Sequence, residues 1–425
     1  MNRNDFEVLK NYVYLDSGAT ALKPNIILDS IKKYYLEETS NIHRGDYDIA
    51  IITDRKYDHT RAMVANFINA NTNEVVFTYN TTDSLNRIVF GYFKNVLNEN
   101  DEVLITKAEH ASNVLPWFEL ASSNNIKVKY IELDNNKVTL DNVKNAITDK
   151  TKVISLAHIT NVLGDVRPIK EITEYAHKNG IMVVLDGAQS VPHIKTDVKD
   201  LDIDFLAFSA HKMCGPTGVG VLYGKLEHLK KMLPVSFGGG MNASFASDMT
   251  RSYDDVPRCF EAGTPNIEGI LAFGSIIEYL NNIGMENINK YVSDLRKYAI
   301  SRMKEIDDLV IYNEHCDSNL ITFNKVGIFA QDLSIYLSRK NICIRAGNHC
   351  AKMLKECLGV KNTCRVSLYF YNNKEDIDKL VDALKNKNIK NEIIWYIRYT
   401  NVFFYSIILL VGELMWKKLL NYVLY

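Results

Sequence analysis

The 425-residue sequence has no excess of charge of either sign. Its 50 Lys and Arg stand against 51 Asp and Glu, for a formal net charge of -1. That balance argues against a nucleic-acid partner and against strong attraction to an acidic membrane. Residues 1–10 are polar and carry no apolar core, so no secretory signal is read there. No internal repeat or low-complexity linker is visible. The seven cysteines are odd in number and form no CxxC pair, which disfavours a disulfide framework. A reducing cytoplasmic compartment is expected, with any special cysteine catalytic. A long hydrophobic run is also missing. The longest apolar stretch, 402–411, is broken by Ser406 and falls well short of the ~20 residues a spanning helix needs. A helix packed on the protein or a sticky end is expected there, and a membrane anchor is not.

What is present is an ordinary globular composition, 47% hydrophobic and 24% charged. Short apolar runs at 75–78, 102–105, 128–131, 153–156, 182–185, 205–208 and 219–222 read as strands. Amphipathic stretches such as 140–147 and 169–179 lie between them. Strands alternating with helices predict an α/β fold with a mostly parallel sheet, whose ligand site lies beyond the carboxyl ends of the strands. A second region opens near Pro265, with helices at 270–282 and 285–307, strands at 309–312, 320–323 and 365–368, and a closing helix at 376–384. The expected domains are a large one at 16–265 and a smaller α+β one from 1–15 with 266–388, followed by an atypical apolar tail at 389–425.

Chemistry-bearing residues stand just past the ends of the expected strands. Val183-Val184-Leu185 runs into Asp186, with Gln189 three residues on; Phe208-Ser209-Ala210-His211 runs into Lys212. An acid and a lysine in this layout suit pyridoxal phosphate (PLP). The amine forms a Schiff base with the aldehyde, and the carboxylate faces the pyridinium nitrogen, so that the ring becomes an electron sink. Gln189 is placed to donate to the phenolic oxygen of the ring. Tyr79-Asn80-Thr81-Thr82-Asp83 precedes a helix expected near Leu85 and suits a phosphate cradle, although a plain N-cap fits the same residues. Ser209 and His211 could complete that cradle. His110, also beyond a strand end, reads either as a ring-stacking proton shuttle or as a loop histidine. In Ile344-Arg345-Ala346-Gly347-Asn348-His349-Cys350-Ala351, a thiol near cations reads as a nucleophile or as a structural cysteine. Arg365 suits a carboxylate clamp.

At these residues the sequence resembles the class V aminotransferase-like PLP enzymes, and within them the Suf-type (group II) cysteine desulfurases. The resemblance spans about 14–384 and rests on Tyr14-Leu15-Asp16-Ser17-Gly18-Ala19-Thr20, Asn41-Ile42-His43-Arg44-Gly45, Thr160-Asn161-Val162-Leu163-Gly164, Asp186-Gly187-Ala188-Gln189, His211-Lys212 and Phe260-Glu261-Ala262-Gly263-Thr264-Pro265. It implies a fold type I homodimer that converts L-cysteine to L-alanine with a persulfide on Cys350. The sulfur would pass to a Suf scaffold protein for iron-sulfur cluster assembly. It further implies that Lys212 carries the cofactor, Asp186 and Gln189 contact the ring, and His110 stacks on it. Thr82, Ser209 and His211 would bind phosphate with Thr264 of the other subunit, beside Thr81 of the same cradle, and Asn161, Arg365, Arg345 and His43 would serve the substrate. No metal is implied. The chain departs from the family pattern at Asn348 and Ala111, where histidines are usual, and at Lys352-Met353. Selenocysteine lyase, another class V enzyme and a non-catalytic assembly subunit are the rival readings.

Overall fold

The computed structural model describes residues 2–394 except residue 44. The expected apolar run at 402–411 and most of the tail lie outside the described residues. A seven-stranded sheet organises the larger part of the chain. Its spatial order is Val75–Thr78, Gly220–Gly224, Phe205–Ser209, Met182–Asp186, Thr151–Ala157, Glu102–Ile105 and Lys127–Tyr130. Gly220–Gly224 is antiparallel to both neighbours, and the other pairings are parallel.

The central strands are apolar on both faces because both faces are covered. Val183, Leu185, Leu206 and Phe208 point into one buried cluster. Val184, Phe205 and Ala207 point into another on the opposite side. This period-2 division explains the unbroken apolar runs. Each such Val, Leu or Phe side chain, fully buried, contributes about 1.5–3 kcal/mol. The runs end where Asp186 and Ser209 meet the carboxyl edge.

A smaller antiparallel sheet has the order Leu309–Ile311, Leu320–Lys325, Thr363–Ser367 and Arg345–Gly347. The first residues of the chain lie beside it: Asp16 bridges Ser367, and Val13–Tyr14 pairs in parallel with Ile342–Cys343 as a separate two-stranded sheet. Helix Ile267–Ile283 packs on Asn25–Lys33 and on Asp48–Phe67, while Met285–Met303 packs on the closing helix Lys374–Lys385.

Several expected boundaries move. The helix after the edge strand Val75–Thr78 begins at Thr81, not near Leu85, because Asn80 caps it by accepting the Asp83 N–H at 3.0 Å. Helix Asp48–Phe67 and the hairpin of Asn242–Phe245 with Arg251–Tyr253 were not expected. Nor was the short strand Arg345–Gly347, which carries the first residues of the Cys350 loop.

Candidate active site

Strand ends from both sheets converge on one cavity of about 390 Å³. Lys212 enters on the 3-10 turn Ala210–Lys212 that follows its strand. His211 ahead of it is anchored by its carbonyl, which accepts from Ala21 N–H at 2.9 Å, Thr20 Oγ1 at 3.1 Å and Lys23 Nζ at 3.0 Å. The Lys212 amine has no hydrogen-bond or ion-pair partner among the described residues. Burial lowers its pKa to about 8, against the pull of Asp186 in the other direction. Asp186 is buried and accepts the Ala188 N–H at 2.9 Å. Burial raises its pKa to about 6, while Lys212 favours the ionised form.

Hydroxyls collect at the start of the Thr81 helix. Thr81 N–H donates to Ser209 Oγ at 2.7 Å, and the Thr81 and Ser209 hydroxyls lie 2.6 Å apart. Thr82 meets Ser112 at 2.7 Å. His110 borders the same space. Its Nδ1 accepts the Ser112 N–H at 3.1 Å, which leaves Nε2 on the far side of the ring. Burial, helped by Lys212 and the two arginines, lowers its pKa to about 4, so the ring is neutral. His211 Nδ1 lies 3.2 Å from Thr20 Oγ1, and burial lowers its pKa to about 4.

The smaller sheet supplies the opposite wall. Arg345 and Arg365 are register partners across adjacent strands. Arg365 donates through Nη1 to the Asn161 carbonyl at 2.8 Å and through Nη2 to Asp16 Oδ1 at 2.9 Å, while its Nε has no partner among the described residues. The clamp expected at Arg365 is therefore already engaged on one edge. Asn161 Nδ2 donates to the His349 carbonyl at 2.6 Å. His349 is buried with Nε2 3.0 Å from Thr363 Oγ1, and burial lowers its pKa to about 3. His349 and Cys350 hold consecutive left-handed backbones, φ 49° and 60°, a costly arrangement for residues bearing a Cβ. Ala111 N–H fixes it by donating to the Cys350 carbonyl at 2.8 Å. The Cys350 thiol is exposed and stands 3.9 Å from Arg345 Nη2.

Eleven of the expected site residues line this cavity: Lys212, Asp186, Gln189, His110, Thr81, Thr82, Ser209, His211, Asn161, Arg345 and Arg365. Cys350 is not among the residues that line it; its thiol stands 3.9 Å from Arg345, which does line it. Two departures are plain. His43 does not line it but a second cavity of about 230 Å³, whose lining also holds Thr264, the residue expected to serve the other subunit. Both sit on loops ahead of the packed helices Asp48–Phe67 and Ile267–Ile283, and His43 Nδ1 is held 2.7 Å from Asp54. Gln189 does not present its whole amide to the cavity, since Nε2 donates to the Gly18 carbonyl at 2.8 Å. Sequence reasoning gave no role to Asp16, Gly18 or Ser112. Asp16 and Gly18 lie within the run Tyr14-Leu15-Asp16-Ser17-Gly18-Ala19-Thr20, but nothing local shows that they meet Arg365.

The residues fit PLP. An unpartnered amine, a buried carboxylate and a hydroxyl-rich helix start face one space. Lys212 would attach the aldehyde, Asp186 would face the ring nitrogen, and Thr81, Thr82 and Ser209 would take the phosphate.

Residues 13–380 match the Aminotransferase class-V family model. A probable cysteine desulfurase of Halalkalibacterium halodurans is 40% identical, covering 88% of this chain and 92% of that one. A cysteine desulfurase of Haloferax volcanii is 41% identical, covering 88% of each. Among solved structures, the apo cysteine desulfurase of Thermococcus onnurineus superposes with a TM-score of 0.88 at 32% identity, covering 92% of this chain and 97% of that one. The cysteine desulfurase CsdA of Escherichia coli gives 0.85 at 34% identity, covering 90% and 96%. With this cavity, this match and these relatives, the chain belongs to the class V aminotransferase family of PLP enzymes, in its cysteine desulfurase branch.

Proposed function

We propose that the protein takes sulfur from L-cysteine, leaves it as a persulfide on Cys350 and releases L-alanine. In this reading it works as a cytoplasmic homodimer and passes sulfur to a Suf-type scaffold for iron-sulfur cluster assembly. The large unit is 16–265, and 1–15 with 266–388 forms the unit that carries the Cys350 loop. One observation supports this most directly. The exposed Cys350 thiol stands 3.9 Å from Arg345, next to His349, and both Arg345 and His349 line the cavity that holds Lys212 and Asp186.

Bound PLP supplies an electron sink beside the α-carbon of the substrate. The other steps fall to the chain. Arg365 and Arg345 attract the substrate carboxylate, and Asn161 borders it. Lys212, with a pKa near 8, changes charge close to neutral pH and so can remove and return the α-proton. The Asp186 carboxylate would hold a proton on the ring nitrogen. His110, neutral, offers a ring face rather than a competing charge. The Cys350 thiolate attacks the substrate sulfur. As the S–S bond forms the Cβ–S bond breaks, and the electron pair left on the β-carbon takes a proton.

Cys350→Ala is expected to keep the cofactor absorbance near ~420 nm while sulfide and alanine production from cysteine falls about 100-fold or more. Turnover at the parent rate would refute the persulfide step.

A further inference from the structure

Asp16 is the only carboxylate bonded to Arg365 among the described residues. It stands at the end of Tyr14-Leu15, where the chain crosses from the small sheet towards the cavity. The backbone there is fixed: Asp16 bridges Ser367, and Ser367 N–H donates to the Leu15 carbonyl at 2.8 Å. Ser17 Oγ reaches the carbonyls of Ser367 and Leu368 at 3.0 and 3.1 Å, and Gly18 N–H donates to Ser367 Oγ at 2.8 Å. Residues 16–18 are therefore strapped to the strand that carries Arg365. The strap also lies against the guanidinium. A Cβ at Gly18 would stand 3.1 Å from both Cζ and Nη2 of Arg365.

The guanidinium is thus gripped at Nη2 by a carboxylate, at Nη1 by the Asn161 carbonyl and on its side by a bare glycine. Its Nε is buried without a partner among the described residues. Arg345 stands in register with it, a second cation that would repel a free guanidinium. An arginine gripped in this way has already lost the rotamer freedom that binding a ligand would otherwise remove.

We infer that Asp16 is a positioning residue for carboxylate recognition. It holds Arg365 against the strap so that the arginine meets an α-carboxylate in one fixed orientation. This rests on the reading of Arg365 as the group that binds the substrate carboxylate. Asp16 acts through Arg365 and takes no part in breaking the carbon–sulfur bond.

The test compares L-cysteine with cysteamine, which keeps the amine and the thiol but has no carboxylate. Asp16→Ala holoenzyme is expected to show a KM for cysteine raised about tenfold, with kcat within about threefold. The inhibition constant of cysteamine should stay within about twofold of the parent value. Asp16→Asn keeps an acceptor in the same place and is expected to recover most of the loss. Should Asp16→Ala fail to fold, Gly18→Ala crowds the same guanidinium without changing charge and should give the same carboxylate-selective rise. Equal weakening of cysteine and cysteamine, or a fall in kcat at unchanged KM, overturns the inference. Arg365→Ala separates the two levels of failure. If it weakens cysteine and cysteamine alike, Arg365 is not the carboxylate clamp and the underlying reading falls as well. If it is carboxylate-selective while Asp16→Ala is not, only the role of Asp16 falls.

Discussion

Burying a lysine amine with no partner costs stability, and Lys212 shows what that cost produces. An ordinary lysine with a pKa near 10.5 is almost wholly charged at neutral pH, and the charged amine is no nucleophile. Burial brings Lys212 to about 8, so a useful fraction is neutral. The sign is definite: the neutral, reactive form grows as pH rises through the lowered pKa and then saturates. Cofactor-free protein should therefore take up PLP at a rate that climbs with pH through about 8 and levels off above it. Absorbance-monitored reconstitution between pH 6.5 and about 10 checks this, and a rate still climbing at the top of that range would show that burial does not depress this amine. Lys212 and Asp186 were legible in the sequence because each follows an unbroken apolar run, and a polar residue there sits at a sheet edge. Asp16 was not legible as a partner of Arg365, since the contact spans 349 residues of chain and no local pattern encodes it.

Elements differ in legibility for a similar reason. The central strands were readable because both their faces are buried, which forces apolar residues at every position. Helix Asp48–Phe67 escaped notice because its buried face includes Thr53, Thr60 and Arg61, and the last is neutralised by Glu261 at 2.7 Å from a distant loop. Strand Arg345–Gly347 is only three residues long and carries no branched or aromatic side chain. The start of the Thr81 helix depends on close approach of another element. At Gly220, on the antiparallel strand, a Cβ would fall 2.5 Å from Asn80 Cα and 2.7 Å from Asn80 N and C. These are backbone atoms and cannot swing aside. Gly220→Ala must push the Asn80 cap, and with it the Thr81 and Ser209 hydroxyls, out of place. The expected cost is about 1–3 kcal/mol of stability, seen as a lower Tm. A weaker affinity for PLP, measured by equilibrium dialysis, should accompany it. A lowered Tm with unchanged cofactor affinity would mean that the helix start does not hold the phosphate.

At the scale of the whole molecule, the first residues of the chain tie the two sheets together. Arg3 pairs with Asp376 at 2.8 Å, Val13–Tyr14 joins the strand Ile342–Cys343, and the strap at 16–18 reaches the cavity floor through Gln189. One chain nevertheless leaves Thr264 away from its own Lys212 cavity. In the proposed homodimer, Thr264 would complete the phosphate site of the opposite subunit, and that placement makes a quantitative claim. Lys212→Ala subunits lack the amine but keep Thr264, while Thr264→Ala subunits keep the amine but lack the hydroxyl. Mixed in equal amounts and allowed to exchange, half of the dimers are hybrids, and each hybrid rebuilds one complete site from Lys212 of one subunit and Thr264 of the other. At cofactor concentrations too low to load the Thr264→Ala site, desulfurase activity should rise to about a quarter of the parent value, although neither variant alone approaches it. If Thr264 instead serves its own chain, the hybrids contain no complete site, and the mixture gives only the average of the two variants.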